Sequence, residues 1–473
     1  MFWIAGCDIL LLMRIFDTLS GKAEHLLKTE RKVNMFVCGL TVYDNAHIGN
    51  ARTYVFFDSA VKFLRSRGWD IFYLQNITDV DDKIIKRAAE LRIPWNELAA
   101  KFTNIFLRDM RALGVSSVDE YAKATKFISQ IVKQIKELMV KGYAYKIADG
   151  YYFDITKFNG YGKLSRRSAE QAEDSVSRID ESLGKRNKGD FCLWKFHRAG
   201  EPSWKTELGE GRPGWHIEDT AITENFFGPQ YDIHGGGVDL KFPHHEAEIA
   251  QQEAASGKTP LVKVWMHTGL LFVNGEKMSK SLGNFVTIED FLKKHSPIVF
   301  RLMVLMHHYR SNLNYTDSLL AQTQGALNTI QELLDKLQFV SKKKARRGSP
   351  DRKIAEMIKI AEHGFISAME EDLNTPAALS AIFKFASALN GVIWNIKAGE
   401  AMDSIKFIRN SLSSLGLGVG PIKIPFKILF MLSRRDKLRV NKQFIQSDIL
   451  RKKVESLGYK VDDTPLGSFA RKV

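Results

Sequence analysis

Apolar positions follow two rhythms along this chain. Residues 35–37 (MFV) form a short solid run ending at Cys38. A polar turn through Asp44 and Asn45 follows, and from 54 to 64 (YVFFDSAVKFL) apolar residues recur at helical spacing. The pattern predicts strand, loop and helix. Such a loop, CGLTVYDNAHIGNAR at 38–52, aims a helix N-terminus at the space above the strand, where phosphate is a natural guest. His47 and Asn50 flank Gly49 there, although plain turn chemistry explains a Gly beside a His equally simply. A second solid run, IFYLQNI at 71–77, is another buried-strand candidate, and a helix follows from Lys83. Between them Thr78 is a candidate pocket residue, because α/β sheets hold ligands at such strand ends. Asp81 and Asp82 read as helix caps, whereas Asp79 reads either as a cap or as a substrate-amine or organising contact.

The rhythm stays helical from about 93 to 142 and then changes. AYKIADGYYFDI reads as a hairpin, and the stretch up to FCLW is polar and glycine-rich. This region is expected to be an insertion between the two halves of a nucleotide-binding fold, with Cys192 a buried structural thiol. The second half opens at GRPGWHIEDTAI, 211–222. YDIH is a short strand, and Gly235, Gly236 and Gly237 mark a tight turn or a close approach. From His244 the spacing H-x-x-x-E puts His244 and Glu248 on one helical face, and His245 and Glu246 elsewhere. That pair is either a surface contact or half of a metal site. Cys38 is a candidate third donor, and thiolate, imidazole and carboxylate together suit zinc best. Beyond 285 the chain turns helical. SKKKARRGSPD at 341–351 is a basic connection, read as a solvated loop or a nucleic-acid contact. NTPAAL starts a helix, with Asn374 as cap and Pro376 in the first turn. The tail is basic, with Arg434, Arg435, Lys437, Arg439, Lys442, Arg451, Lys452 and Lys453 able to meet phosphates.

Composition sharpens the class. The chain has 473 residues, too many for one ordinary core. A formal net charge of +15 fits a polyanionic partner, nucleic acid before membrane. Three cysteines, Cys7, Cys38 and Cys192, argue against a disulfide framework and for a reducing, cytoplasmic setting. No apolar run approaches the roughly 18–20 residues that span a bilayer, and no membrane partner is expected. MFWIAGCDILLL lacks a basic leader and makes a poor signal peptide.

The loop at 38–52 has a partner far downstream, GEKMSKSLGN at 275–284. The two resemble the HIGH and KMSKS signatures of class I aminoacyl-tRNA synthetases. CGLTVYDNAHIGNAR, NITDVDDKI, GRPGWHIE, DIHGGGVDLKFPHHEAEIAQ, WMHTGLLFVNGEKMSKSLGN and HHYRSNLNYTD together resemble the cysteinyl branch of that family, from about Met13 to the end. The resemblance implies an α/β chain. Residues 13–115 and 206–274 would be the two halves of a Rossmann-like catalytic domain with a parallel sheet, and 116–205 an inserted connective subdomain. Residues 275–320 would hold the KMSKS loop and stem-contact region. A helical anticodon-stem bundle at 321–400 and a small basic C-terminal domain at 401–473 would follow, and 1–12 would be an extension.

It also implies an activity: L-cysteine and ATP give cysteinyl-adenylate, then cysteinyl-tRNA(Cys), with magnesium accompanying ATP. By position, the phosphate and catalytic residues would be His47, Asn50, Lys277 and Lys280. The ATP side would add Gly49, His234, Gly235 and Gly236. The amino acid pocket would hold Gly39, Thr41, Thr78 and Trp215. The zinc ligands would be Cys38, the residue at 219, His244 and Glu248, and the enzyme is expected to be a monomer. One position departs from the family. Many members read GWHIEC where this chain reads GWHIED, so Asp219 replaces a thiolate. A carboxylate can ligate zinc at about 2.0–2.2 Å. Alternatively Asp219 caps a helix, or zinc has been lost. Two other functions are carried: a cysteine–amine ligase of the mycothiol-synthesis type, which the basic helical C-terminal third opposes, and a non-catalytic tRNA-binding paralogue, which His47, Lys277 and Lys280 oppose.

Overall fold

A computed structural model of the chain describes residues 12–27, 32–167, 182, 184–279, 282–343 and 352–472. All but the last residue of the expected N-terminal extension, Lys280, most of the polar stretch after 167 and most of the basic connection at 341–351 lie outside the described residues. The chain forms two compact units. One runs to Phe300 and includes His307–Tyr315, and the other takes Arg301–Met306 and the chain from Thr316.

The first unit is organised by a parallel sheet of five strands. Across it lie Val262–Thr268, Tyr231–Gly237, Val33–Thr41, Ile71–Thr78 and Glu120–Lys123. The solid apolar runs of the sequence are these strands. Met35, Phe36, Val37, Tyr73, Leu74 and Ile77 are buried, as strands covered on both faces require. Val33–Thr41 pairs with the next strand of the chain on one side and with Tyr231–Gly237 on the other. The strand order reverses there, and such a switch opens a crevice beyond the strands' carboxyl ends. The helix expected from residue 54 begins earlier, spanning Ile48–Ser66 with His47 as N-cap.

The insertion is a separate antiparallel sheet, ordered Ala144–Ile147, Gly150–Phe153, Phe191–Phe196, Gly209–Pro213 and Trp204–Thr206. Its limits differ from the expected 116–205. Glu120–Lys123 is the edge strand of the parallel sheet, while Gly209–Pro213 belongs to the antiparallel one. Short strands with glycine at their ends gave too weak a period to place these borders. Cys192 is buried beside Tyr145 and Tyr152.

The second unit is helical: Asp317–Ser341, Arg352–Glu370, Thr375–Asn390, Ala398–Ser414, Phe426–Val440 and Phe444–Glu455, closed by the hairpin Tyr459–Thr464 with Gly467–Lys472. Asn374 accepts the Ala377 N–H at 3.1 Å and caps its helix. One basic residue needs correcting. Arg435 is fully buried and paired with Asp463 at 2.5 Å, so it holds the hairpin and is not offered to phosphate. Arg434, Lys437, Lys442, Lys452 and Lys453 are exposed. Among the described residues, no helix is long and apolar enough to cross a membrane.

Arg52 ties the first unit's crevice together. Its guanidinium is buried and donates to the carbonyls of Leu270 at 2.6 Å, Tyr309 at 3.2 Å and Ser311. Burial lowers its pKa to about 10. It thereby fixes Leu271–Val273, which pairs with Glu276–Lys277, to the Ile48–Ser66 helix. Arg52→Met strands three carbonyls. It should destabilise this unit by about 2–4 kcal/mol, measured by denaturant titration. An unchanged midpoint would remove Arg52 from this role.

Candidate active site

The crevice has a volume of about 380 Å³. Its wall includes Cys38, Gly39, Thr41, His47, Gly49 and Asn50 from the first half. Thr78, Trp215, Asp219, His244, Lys277 and Met278 come from further along the chain. The two signature loops are joined by backbone. Ile48 N–H donates to the Val286 carbonyl at 3.0 Å, and Ile288 N–H to that of Ala46 at 3.0 Å. The His47 ring meets Phe285 edge-on at 5.2 Å.

His47 and Asn50 form a reciprocal cap. The Asn50 N–H donates to His47 Nδ1 at 3.2 Å, and the His47 N–H donates to Asn50 Oδ1 at 3.2 Å. With Nδ1 accepting, the neutral imidazole carries its proton on Nε2. Burial lowers the His47 pKa to about 4, against a weaker pull from Asp239. His47 is therefore a neutral donor at physiological pH. Asp79 turns away from the crevice. It accepts from the Thr125 N–H at 2.9 Å and hydroxyl at 2.7 Å, and is an organising contact. Asp81 caps its helix through the Lys83 N–H at 2.9 Å, whereas Asp82 pairs with Arg212 at 2.5 Å and Lys195 at 2.8 Å.

At the inner end of the crevice lies a cluster of buried donors. Cys38 comes from the first strand, Asp219 from the first turn of helix Ile217–Phe227, and His244 and Glu248 from helix His244–Ser256. Cys38 Sγ lies 3.4 Å from Asp219 Oδ2 and 3.8 Å from Glu248 Oε1. His244 Nε2 lies 3.0 Å from Asp219 Oδ2 and 3.1 Å from Glu248 Oε1. Each of the four side chains is at most 4 % exposed. Burial, then Glu248 and Asp219, pushes the Cys38 thiol well above its ordinary pKa. Glu248 is raised by burial and then by Asp219. Acids, thiol and imidazole converging in this way fit a bound cation, and their ligand atoms lie within 4.8 Å of one another.

Two residues assigned elsewhere from the sequence lie beside this cluster. His245 Nε2 is 3.1 Å and His234 Nε2 3.3 Å from Cys38 Sγ, so Cys38, His234, His245 and Glu248 form an overlapping donor set. The His244–Ser256 helix is buried from His244 to Ala255, so helical spacing could not tell a pocket face from a core face. His234, Gly235 and Gly236, expected on the adenosine side, are closely packed here. His234 is fully buried behind Cys38. A Cβ on Gly235 would strike the Phe57 ring, and one on Gly236 would lie 2.7 Å from His245 Cε1. Only Gly237 of the three glycines reaches the crevice wall, together with Asp239. Of the two donor sets, the one with Asp219 and His244 faces the crevice.

Outer partners hold the inner ones. His244 Nδ1 is 2.8 Å from His216 Nδ1, and the Trp215 ring stacks on His244 at 4.4 Å. His245 Nδ1 is 2.8 Å from His267 Nε2, and His234 Nδ1 is 2.7 Å from the Tyr231 hydroxyl. The Thr78 hydroxyl donates to Glu218, whose pKa is raised by burial and then by Asp219. Apart from the Tyr231–His234 contact, these join residues distant in sequence, so no motif spacing announces them.

A family model described as the catalytic domain of class I (C) tRNA synthetases matches residues 25–325, and a DALR domain model matches 364–419. The chain is 41 % identical to a cysteine–tRNA ligase of Thermococcus gammatolerans, over 98 % of this chain and 99 % of the relative. A cysteine–tRNA ligase of Thermoplasma volcanium is 42 % identical, over 95 % and 98 %, and one of Methanococcus maripaludis 39 % identical, over 96 % and 98 %. Among solved structures, a Mycobacterium tuberculosis methionyl-tRNA synthetase in complex with methionyl-adenylate superposes with a TM-score of 0.61 at 16 % identity. That match covers 82 % of this chain and 90 % of the other, and is a likeness of fold.

The depressed His47 pKa has a consequence for stability. Unfolded, the imidazole takes a proton near pH 6.5; folded, only near 4. Its contribution is therefore full above about pH 6.5 and is lost as pH falls towards 4. At about pH 5 the parent should take up close to one proton more on unfolding than His47→Asn, which keeps a capping side chain. Denaturation midpoints across that range measure this, and identical acid slopes would contradict the assignment.

Proposed function

The chain belongs to the class I aminoacyl-tRNA synthetases and, within them, to the cysteine–tRNA ligases, and from that premise we propose how its crevice works. The enzyme activates L-cysteine with ATP and transfers the cysteinyl group to tRNA(Cys), releasing AMP and pyrophosphate. The observation behind the site assignment is the donor cluster of Cys38, Asp219, His244 and Glu248 opening onto the crevice that also holds His47 and Lys277.

Cysteine lies with its side chain against the cluster, enclosed by Gly39, Thr41, Thr78 and Trp215. Its carboxylate attacks the α-phosphorus in line, and pyrophosphate leaves. The protein supplies no nucleophile, so catalysis rests on positioning and charge. His47 Nε2–H and Asn50 hold phosphate oxygens beside Gly49. Lys277 and Lys280 neutralise charge developing on the pyrophosphate, and magnesium accompanies ATP. His234, Gly235 and Gly236 shape the wall from behind. The exposed basic residues of the second unit meet tRNA phosphates. All of these residues come from one chain, and we take the enzyme to act as a monomer.

Cys38, Asp219, His244 and Glu248 would hold one zinc ion. Bound there, zinc would offer the substrate thiolate a metal–sulfur bond that serine's hydroxyl cannot match, where an apolar pocket separates such close analogues by only about 10–200-fold.

Two experiments test this reading. The purified protein should catalyse pyrophosphate exchange with ATP that depends on cysteine and needs no tRNA. Lys277→Ala and Lys280→Ala should each slow it by about 10²–10³-fold. Exchange with no standard amino acid would sink the site assignment. Elemental analysis should find one zinc per chain. Asp219→Ala should lose metal and cysteine-over-serine preference while Asp219→Cys retains both. Full zinc and unchanged preference in Asp219→Ala would show that Asp219 is not a ligand.

A further inference from the structure

The Asp219 carboxylate has two oxygens, and only one faces the cluster. Oδ2 lies near Cys38 Sγ and His244 Nε2. Oδ1 points to the strand Ile71–Thr78, where it accepts from Asn76 Nδ2 at 2.5 Å. The Asn76 amide is held in one orientation. Its Oδ1 accepts the Gly39 N–H at 2.5 Å, which leaves Nδ2 as the donor towards Asp219, with a longer reach to Thr78 Oγ1 at 3.4 Å. Gly39 follows Cys38 in the chain. A Cβ at Gly39 would overlap the Asn76 carbonyl, so the two strands are pressed together at this point. Asn76 is 2 % exposed and lies on the crevice wall.

We propose that Asn76 is the positioning residue that makes Asp219 a one-oxygen metal ligand and sets the specificity of the amino acid site. A thiolate at position 219 has a single donor atom and needs no such help. A carboxylate can rotate, chelate with both oxygens or take a proton, and each outcome weakens a tetrahedral site. By donating to Oδ1, Asn76 occupies the second oxygen, fixes the plane of the carboxylate and turns Oδ2 towards the ion. By accepting from Gly39, it keys that orientation to the backbone next to Cys38, so two ligands, one from a strand and one from a helix, are referenced to one amide. Outer partners of metal ligands act in this way, and their loss costs about 10–100-fold in metal affinity.

This inference rests on the zinc reading above, and the experiment separates the two. Zinc affinity is measured by chelator competition in four full-length proteins: the parent, Asn76→Ala, Asp219→Cys and the double variant. Cobalt-substituted spectra report ligand geometry alongside. Asn76→Ala should weaken zinc binding by about 10–100-fold in the Asp219 parent, shift the cobalt bands, and lower the cysteine-over-serine preference. In the Asp219→Cys background the same change should cost less than about 3-fold, because the carboxylate it serves is gone; that difference is the coupling. Asn76→Asp is a nearly isosteric second variant that keeps an acceptor for Gly39 and removes the donor. It should fold if Asn76→Ala does not, and should bind zinc at least as weakly as Asn76→Ala is expected to. Equal losses in both backgrounds would overturn the proposal, since Asn76 would then act only through the Gly39 strand. Unchanged affinity in Asn76→Asp would overturn it as well. A parent that binds no zinc would overturn both this inference and the zinc reading, whereas a parent that binds zinc with no coupling overturns this one alone.

Discussion

Two buried carboxylates and a thiol share a few ångströms of protein at the end of a parallel sheet, and much of the first unit is arranged around that fact. Charged groups out of water must be paired, ligated or neutralised. Asp219 and Glu248 face Cys38 and His244 there, with Trp215 over the imidazole. A divalent ion would satisfy all four of these side chains at once. Without it the cluster must hold protons, and the raised pKa values of Cys38 and Glu248 are the form that tension takes.

The same constraint explains the packing behind the crevice. Gly235 and Gly236 let Phe57 and His245 approach the strand Tyr231–Gly237 closely, which brings the buried His244–Ser256 helix against the sheet. His216, His267 and Tyr231 then anchor the far nitrogens of the inner histidines. Orientation is thus built outwards from the donors through side chains that never touch the crevice. Elsewhere on the crevice wall, the cap formed by His47 and Asn50 is pinned by backbone bonds to the segment leaving the second signature loop. The donor cluster and the reciprocal cap are thus positioned by different devices.

The sequence was informative where chemistry is written in short spacings. The solid runs at 35–37 and 71–77 became adjacent parallel strands, and H-x-x-x-E put His244 and Glu248 together. Resemblance pointed to position 219, and the structure places Asp219 beside both Cys38 and His244. Contacts between distant segments were not legible. Asn76 reads as one polar residue in a strand, yet it bridges Gly39 and Asp219. His234 and His245 were assigned elsewhere because a glycine run suggests a ligand surface and a helix is assumed to have a polar face. Here the glycines admit neighbouring side chains and the helix is buried all round. The borders of the inserted sheet were displaced for a different reason: its strands, three to six residues long, carry too little periodicity to be located.

The central claim is that this cluster is where the enzyme reads the sulfur of its substrate. Zinc-edge X-ray absorption on the full-length protein, before and after addition of L-cysteine, tests it most directly. Before addition, one sulfur at about 2.3 Å and nitrogen or oxygen scatterers at about 2.0–2.2 Å are expected, from Cys38 with His244, Glu248 and Asp219. Cysteine should add a second sulfur at the same distance, and serine should not. A spectrum with no sulfur, or one that cysteine leaves unchanged, would contradict the account.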